Sequence, residues 1–355
     1  MYLPALAACI AVAALAGDAV VGRGATPRQP QTIATVPGDV DAFAQDGELL
    51  AWARGPEGSF GPGVVEILSP AKSTPVVIGR THEYDSGAPT IPLWGFALAS
   101  TRVLVATAYY SVCGNTSCNF DMYTAALNER GFRKVGRSSS FSDAVTGEAY
   151  LPSRIPVAGD GSTLAYFASC FSVDECGSTE DAVRSITGER DAKVADSAFP
   201  TALATDDGRI AAAVLTRRSP LRSAVNVWDS ARESLTRFML SGQVMELGMS
   251  GQRAALLVRN GVRTRIELRN LRDGSRERRV PLSEATKSSI SIAGTTVVFQ
   301  VGNTIRVLDT RSGRISVVAV VRGWPIGLSI ERNRVVWAER LTGRPDLIRS
   351  ITVSR

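Results

Sequence analysis

The stretch Gln45-Asp46-Gly47-Glu48-Leu49-Leu50-Ala51-Trp52 sets a polar pair between two apolar runs. Glycine accepts the positive φ that a two-residue hairpin turn needs, so this phrase predicts a strand, a tight turn and a second strand. Working outward along the chain, the phrase returns. Equivalent turns fall at Ser100-Thr101, Asp160-Gly161, Asp207-Gly208, Ser250-Gly251, Ala293-Gly294 and Arg332-Asn333. Self-similarity at a spacing of roughly 40 to 60 residues is the mark of a repeat architecture.

Behind each turn comes a strand that is apolar on both faces, such as Val103-Leu104-Val105-Ala106, Ala254-Ala255-Leu256-Leu257-Val258 or Val335-Val336-Trp337-Ala338. Strands of that kind suit burial between neighbouring sheets. A third strand that alternates follows, as in Val64-Val65-Glu66-Ile67-Leu68 and Ile305-Arg306-Val307-Leu308, and then a fourth that is more polar. Seven such units predict an all-β fold, a seven-bladed β-propeller of four-stranded blades. A ring of six blades with irregular ends is the structural alternative. The seventh unit stops after three strands. Gln31-Thr32-Ile33-Ala34-Thr35-Val36 has the length and pattern to supply the missing outer strand and close the ring, which removes an exposed edge.

The phrases Gln45 to Trp52, Gly159-Asp160-Gly161-Ser162-Thr163-Leu164-Ala165-Tyr166 and Asp206-Asp207-Gly208-Arg209-Ile210-Ala211 resemble the core of TolB-like (WD40-like) propeller repeats. Ile305 to Gly313 resembles the third strand and turn of WD40 and quinoprotein blades. The resemblance covers most of residues 31–353 and implies a fold, not a substrate.

Composition agrees with an ordinary globular protein, with 44% hydrophobic and 21% charged residues. The net charge of +6 is almost all arginine, and lysine occurs only at Lys72, Lys134, Lys193 and Lys287. The densest basic stretch, Arg253 to Arg279, alternates arginine with apolar residues, and is read as the outward face of half-buried strands. No nucleic-acid motif accompanies it, and no nucleic-acid partner is expected.

At the N-terminus, Leu3 to Leu15 is an apolar run that ends in Ala14-Leu15-Ala16, the small-x-small form of a signal-peptidase site. It is too short for a membrane span, which needs about 20 residues. The expected organisation is a signal peptide over 1–16, a flexible leader over 17–30 and the propeller over 31–355. That places the protein outside the cytoplasm, secreted or in the cell envelope, as a monomer without a membrane span. Beyond Cys9, the chain carries Cys113 and Cys118, then Cys170 and Cys176. In an oxidising compartment these close pairs favour two local disulfides, with a four-thiolate zinc site as the competing reading.

Catalytic signatures are weak. His82 is the one histidine, so a Ser-His-Asp or Cys-His arrangement has a single candidate base, set in a loop. No metal site and no cofactor is expected. Asp and Gly in the repeated turns are read as structural. Carboxylates gathered around the channel from distant blades would be the route to an enzyme, a hydrolase, lyase or quinoprotein-like protein. Three or more of them converging on one mouth would favour it.

The extra length in the first three units enters between second and third strands and between blades, at 55–63, 82–93, 111–120, 141–154 and 171–180. In a propeller both kinds of connection leave the same face. Tyr84, Asp85, Tyr109, Tyr110, Phe120, Asp121, Phe171, Asp174 and Glu175 supply that rim with aromatic and acidic groups. Aromatic surfaces on stiffened loops suit a protein, peptide or glycan partner. A binding scaffold is the leading expectation.

Overall fold

The computed structural model describes residues 29–54, 64–80, 93–108, 117–141, 155–169, 181–229, 234–282 and 289–353. They form seven antiparallel four-stranded sheets and no helix. Strand β1 (Gln31–Val36) precedes blade 1, which is β2 (Val40–Asp46), β3 (Leu49–Arg54), β4 (Val64–Leu68) and β5 (Val76–Arg80). Blade 2 is β6 (Leu93–Ala99), β7 (Arg102–Ala108), β8 (Ser117–Ala126) and β9 (Arg133–Phe141). Blade 3 is β10 (Val157–Asp160), β11 (Thr163–Ser169), β12 (Asp181–Thr187) and β13 (Arg190–Asp196). Blade 4 is β14 (Pro200–Asp206), β15 (Arg209–Arg218), β16 (Leu221–Asp229) and β17 (Ser234–Ser241). Blade 5 is β18 (Gln243–Ser250), β19 (Arg253–Asn260), β20 (Arg263–Asn270) and β21 (Arg276–Leu282). Blade 6 is β22 (Ile290–Ala293), β23 (Thr296–Val301), β24 (Thr304–Asp309) and β25 (Ile315–Val320). Blade 7 is β26 (Trp324–Glu331), β27 (Arg334–Arg340) and β28 (Asp346–Thr352), completed by β1.

The fold is therefore the seven-bladed propeller expected from the repeat, and the six-bladed alternative is set aside. The ring closes as expected too, with Thr32 opposite Arg349 and Val36 opposite Asp346.

No sheet has a core of its own. Side chains alternate along a strand, so successive residues of a second strand enter different interfaces. In β19, Ala254, Leu256 and Val258 pack with Val225 and Phe238 of blade 4. Ala255 and Leu257 pack with Ile292 and Phe299 of blade 6. Seven apolar clusters result, one for each interface around the ring. This is why the second strands read as apolar on both faces.

The closing interface is reinforced by polar groups. Asp346, fully buried, accepts the Val40 N–H at 2.7 Å and the Leu341 N–H at 2.8 Å, which ties β28 to the start of blade 1. Arg340 adds an ion pair to Asp41 at 2.9 Å. Gly327, at φ +61°, sits where a Cβ would run into the carbonyl of Phe43 in β2. Glycine is needed there both for the backbone and for the approach of blade 7 to blade 1.

One expectation is corrected. The arginine-rich stretch of blade 5 is not simply a solvated face. Arg265 and Glu267 are 4% and 2% exposed, and Glu267 is held between Arg265 at 2.7 Å and Arg269 at 2.6 Å. Arg269 also stacks its guanidinium 5.8 Å from the Phe238 ring centroid of blade 4. A third strand of a propeller faces a neighbouring blade, so its charges must be paired within the protein.

Candidate functional site

The turn-side end of the channel is built by one repeat position, the last residue of each inner strand. Around the ring these are Asp46, Ala99, Asp160, Asp206, Ser250, Ala293 and Glu331, each opposite the first residue of its second strand. This shifts the repeat register in three blades, 2, 4 and 7. In blades 1 and 3 the glycines Gly47 and Gly161 take the first turn position, with φ of +59° and +54°. In blades 4 and 7 that left-handed position is filled by Asp207 and Arg332, at φ +49° and +54°. The counterparts of Asp46 are thus Asp206 and Glu331, not Asp207 and Arg332.

Polar side chains at these ends staple one blade to another. Asp160 accepts the Asp207 N–H at 3.2 Å, Asp206 the Gly251 N–H at 3.0 Å, and the Ser250 hydroxyl oxygen the Gly294 N–H at 2.9 Å. Blade 2 has only Ala99 at this position. Asp46 reaches past it and accepts the Gly161 N–H of blade 3 at 3.0 Å. That reach draws Asp46 towards Asp160, and Glu331, longer by one methylene, extends to the same place from blade 7.

Oxygens of Asp46, Asp160 and Glu331 lie within 4.8 Å of one another. Blades 7, 1 and 3 thus bring these oxygens together at the turn-side end of the inner strands. Burial first, and then the carboxylates of Asp160, Asp46 and Asp206, push Glu331 up to about 7. Burial likewise raises Asp160 to about 6 against the Asp207 hydrogen bond, with Asp46, Asp206 and Asp207 adding to the rise. Asp46 is raised by burial, countered by the Gly161 N–H. Three carboxyl groups this close oppose one another's ionisation, each negative charge raising its neighbours. The same spacing suits oxygen ligands of one divalent cation. Asp206 differs, because Arg209 pairs with it directly.

Spacing and residue type mark the Asp-Gly turns as structural and do not single out Glu331. The available signal was an acid at one repeat position in four units. It becomes visible only once the turns are aligned by backbone conformation rather than by residue type.

Of the predicted rim residues, Phe120 and Asp121 fall among the described ones. Tyr84, Asp85, Tyr109, Tyr110, Phe171, Asp174 and Glu175 lie outside the described residues, as do His82, Cys113, Cys170 and Cys176. Phe120 and Cys118 fall inside β8, paired with Ser138 and Ser140 of β9. Asp121, also in β8, is 1% exposed and held by Lys134 at 2.7 Å and Arg137 at 3.0 Å. It neutralises its own sheet.

Comparisons with solved structures fit the ring. The chain is similar to the β-propeller domain of the Trilobed protease from Pyrococcus furiosus, with a TM-score of 0.57 and 10% identity over 91% of this chain and 99% of that one. It is similar to a prolyl endopeptidase, with a TM-score of 0.55 and 12% identity over 90% of this chain and 49% of that one. BamB from Moraxella catarrhalis aligns at a TM-score of 0.49 and 11% identity, over 89% and 85% of the two chains. The chain is an all-β propeller. At such identities the likeness concerns fold alone, and the chain spans about half the length of the prolyl endopeptidase. No family model matches the chain, and no curated protein matches it.

Proposed function

We propose that this protein is an extracytoplasmic binding scaffold of the TolB-like kind, with a protein, peptide or glycan partner held over blades 1 to 3. One observation carries the reading. In antiparallel four-stranded blades, second-to-third strand connections and blade-to-blade connections leave the same face. The segments 55–63, 81–92, 109–116, 142–154 and 170–180 all lie in such connections of the first three blades. Their anchoring strands are packed into the core, with Val103, Val105, Ala165 and Val183 fully buried, and binding concentrates on loops set on such scaffolds. The apolar segment Leu3 to Leu15 and the paired cysteines support export. The test is affinity capture from the parent cell's envelope fraction, using the intact protein and a variant with 113–118 and 170–176 trimmed to short Gly-Ser links. A partner retained by the trimmed variant at full yield would refute the reading.

A second reading, an enzyme working through channel carboxylates, is favoured by the convergence of Asp46, Asp160 and Glu331. A carboxyl that titrates near 7 is suited to give or take a proton at neutral pH. Hydrolysis of a glycoside or peptide panel that is abolished in Glu331→Gln, with a pH profile that follows this group, would establish it. No turnover on any panel member by the folded protein leaves the scaffold as the reading.

A further inference from the structure

The face opposite the carboxylates is uneven in a second way. Each second strand starts at an equivalent residue beside its turn, so strand length measures how far a blade rises on the other face. β15 has 10 residues and β19 has 8, against 6 for β23 and 7 for β27. At about 3.3 Å per residue, the blade 4 hairpin stands roughly 10 Å above those of blades 6 and 7, and the blade 5 hairpin a few Å. Both fingers are paired nearly to their tips, to Arg218–Leu221 and Asn260–Arg263.

The tips share a chemistry. Arg217, Arg222, Arg259 and Arg263 are exposed, and so are Pro220 and Val262, the latter at 96%. No Asp or Glu occurs within residues 215–222 or 258–263. Each tip thus sets an apolar point between arginines. The blade 4 finger is tied close to its tip to the connection into blade 5. The Gly242 N–H donates to the Leu221 carbonyl at 2.7 Å, the Ser223 hydroxyl to the Gly242 carbonyl at 2.9 Å, and the Val244 N–H to the Ser223 oxygen at 3.2 Å. Arg259 leans on Gln243 at 3.2 Å, and Arg217 on the Ser219 carbonyl at 2.8 Å, which leaves each guanidinium with free N–H groups.

We propose that the blade 4 and blade 5 hairpin tips seat this protein on an anionic bilayer surface. The arginines meet lipid phosphates, while Val262 and Pro220 enter the headgroup layer between them. Projecting apolar points match a soft interface. A nucleic-acid duplex would call for a charged groove without them, and the hairpins are paired up to their tips, so little order is lost on docking. The surface lies in blades 4 and 5 and does not depend on the partner proposed for blades 1 to 3.

The test is co-sedimentation of the full chain with vesicles of phosphatidylcholine alone and of equal phosphatidylcholine and phosphatidylglycerol. Binding is expected to the anionic vesicles only and to weaken with salt. Each of Arg217→Gln, Arg222→Gln and Arg263→Gln should lower partitioning about fivefold, and Val262→Asp should lower it as well. Arg311→Gln, a charge-matched change in the blade 6 turn, should leave binding unchanged. These residues are all exposed, and thermal unfolding should match the parent protein. Absence of binding to anionic vesicles, an equal loss in the blade 6 variant, or stronger binding to duplex DNA than to vesicles would each overturn the proposal.

Discussion

Arg332 holds a turn position that glycine fills in blades 1, 3, 5 and 6, with its backbone at φ +54°. A side chain in this left-handed region costs on the order of 1 kcal/mol. Arg332→Gly should relieve that cost, offset in part by the greater freedom of glycine in the unfolded chain. A net gain of about 0.5 kcal/mol in denaturant unfolding is the expected outcome, and a loss would show that the arginine makes a contact worth more than its strain. Glu267 poses the opposite case. Burial pushes its carboxyl up, but hydrogen bonds and charge from Arg269 and Arg265 outweigh burial and hold it below the usual range. Glu267→Ala leaves two inward arginines without their anion and should cost roughly 3–5 kcal/mol. Glu267→Gln, which keeps the shape and one acceptor, should cost less. Unfolding both variants side by side separates lost charge from lost packing.

At the scale of the element, the closing strand is where local sequence and long-range contact meet. β1 could be read from its length and pattern, and so could the missing fourth strand of blade 7. Asp346 could not, since nothing near it in sequence shows that its carboxylate will receive an N–H from Val40, hundreds of residues away. Gly327 was equally silent, because its need for a bare Cα comes from the carbonyl of Phe43. The same limit explains the arginines of blade 5. Alternation marks two faces of a strand, but not whether the polar face meets water or another blade. Asp46 and Asp160 were legible as turn residues, and Glu331 was not. Their convergence was not, since it depends on a missing acid at Ala99 and on blades that are not neighbours. Asp346→Ala leaves two buried N–H groups unpaired, at about 1–3 kcal/mol each. Lower stability with sharp cooperative unfolding is expected by urea titration. Unfolding in two separate steps would mean instead that the seam opens independently of the ring.

For the molecule as a whole, the ring is what concentrates charge, since seven inner strands end at one mouth and four of them end in acids. Stability should therefore depend on pH in a direction opposite to that of a paired carboxylate. The ordinary values of Asp160 and Glu331 are 3.8 and 4.5, and the folded ring lifts them to about 6 and about 7. Between roughly pH 4 and 7 the folded chain then holds protons that the unfolded chain has released. Stability falls wherever the folded state binds more protons as pH rises, so it should decline across this window and level off above it. Glu267, held below its usual range, contributes above its unfolded value and loses its contribution only on the acid side, so it does not mask the trend. A midpoint of thermal unfolding several degrees lower at pH 8 than at pH 5.5 is the expected result. Glu331→Gln removes one of the three crowded carboxyls and relieves Asp160 of a neighbour. It should flatten the decline and leave the variant more stable than the parent at pH 8. Parallel pH curves for the two proteins would show that the three oxygens, though close, carry no shared proton.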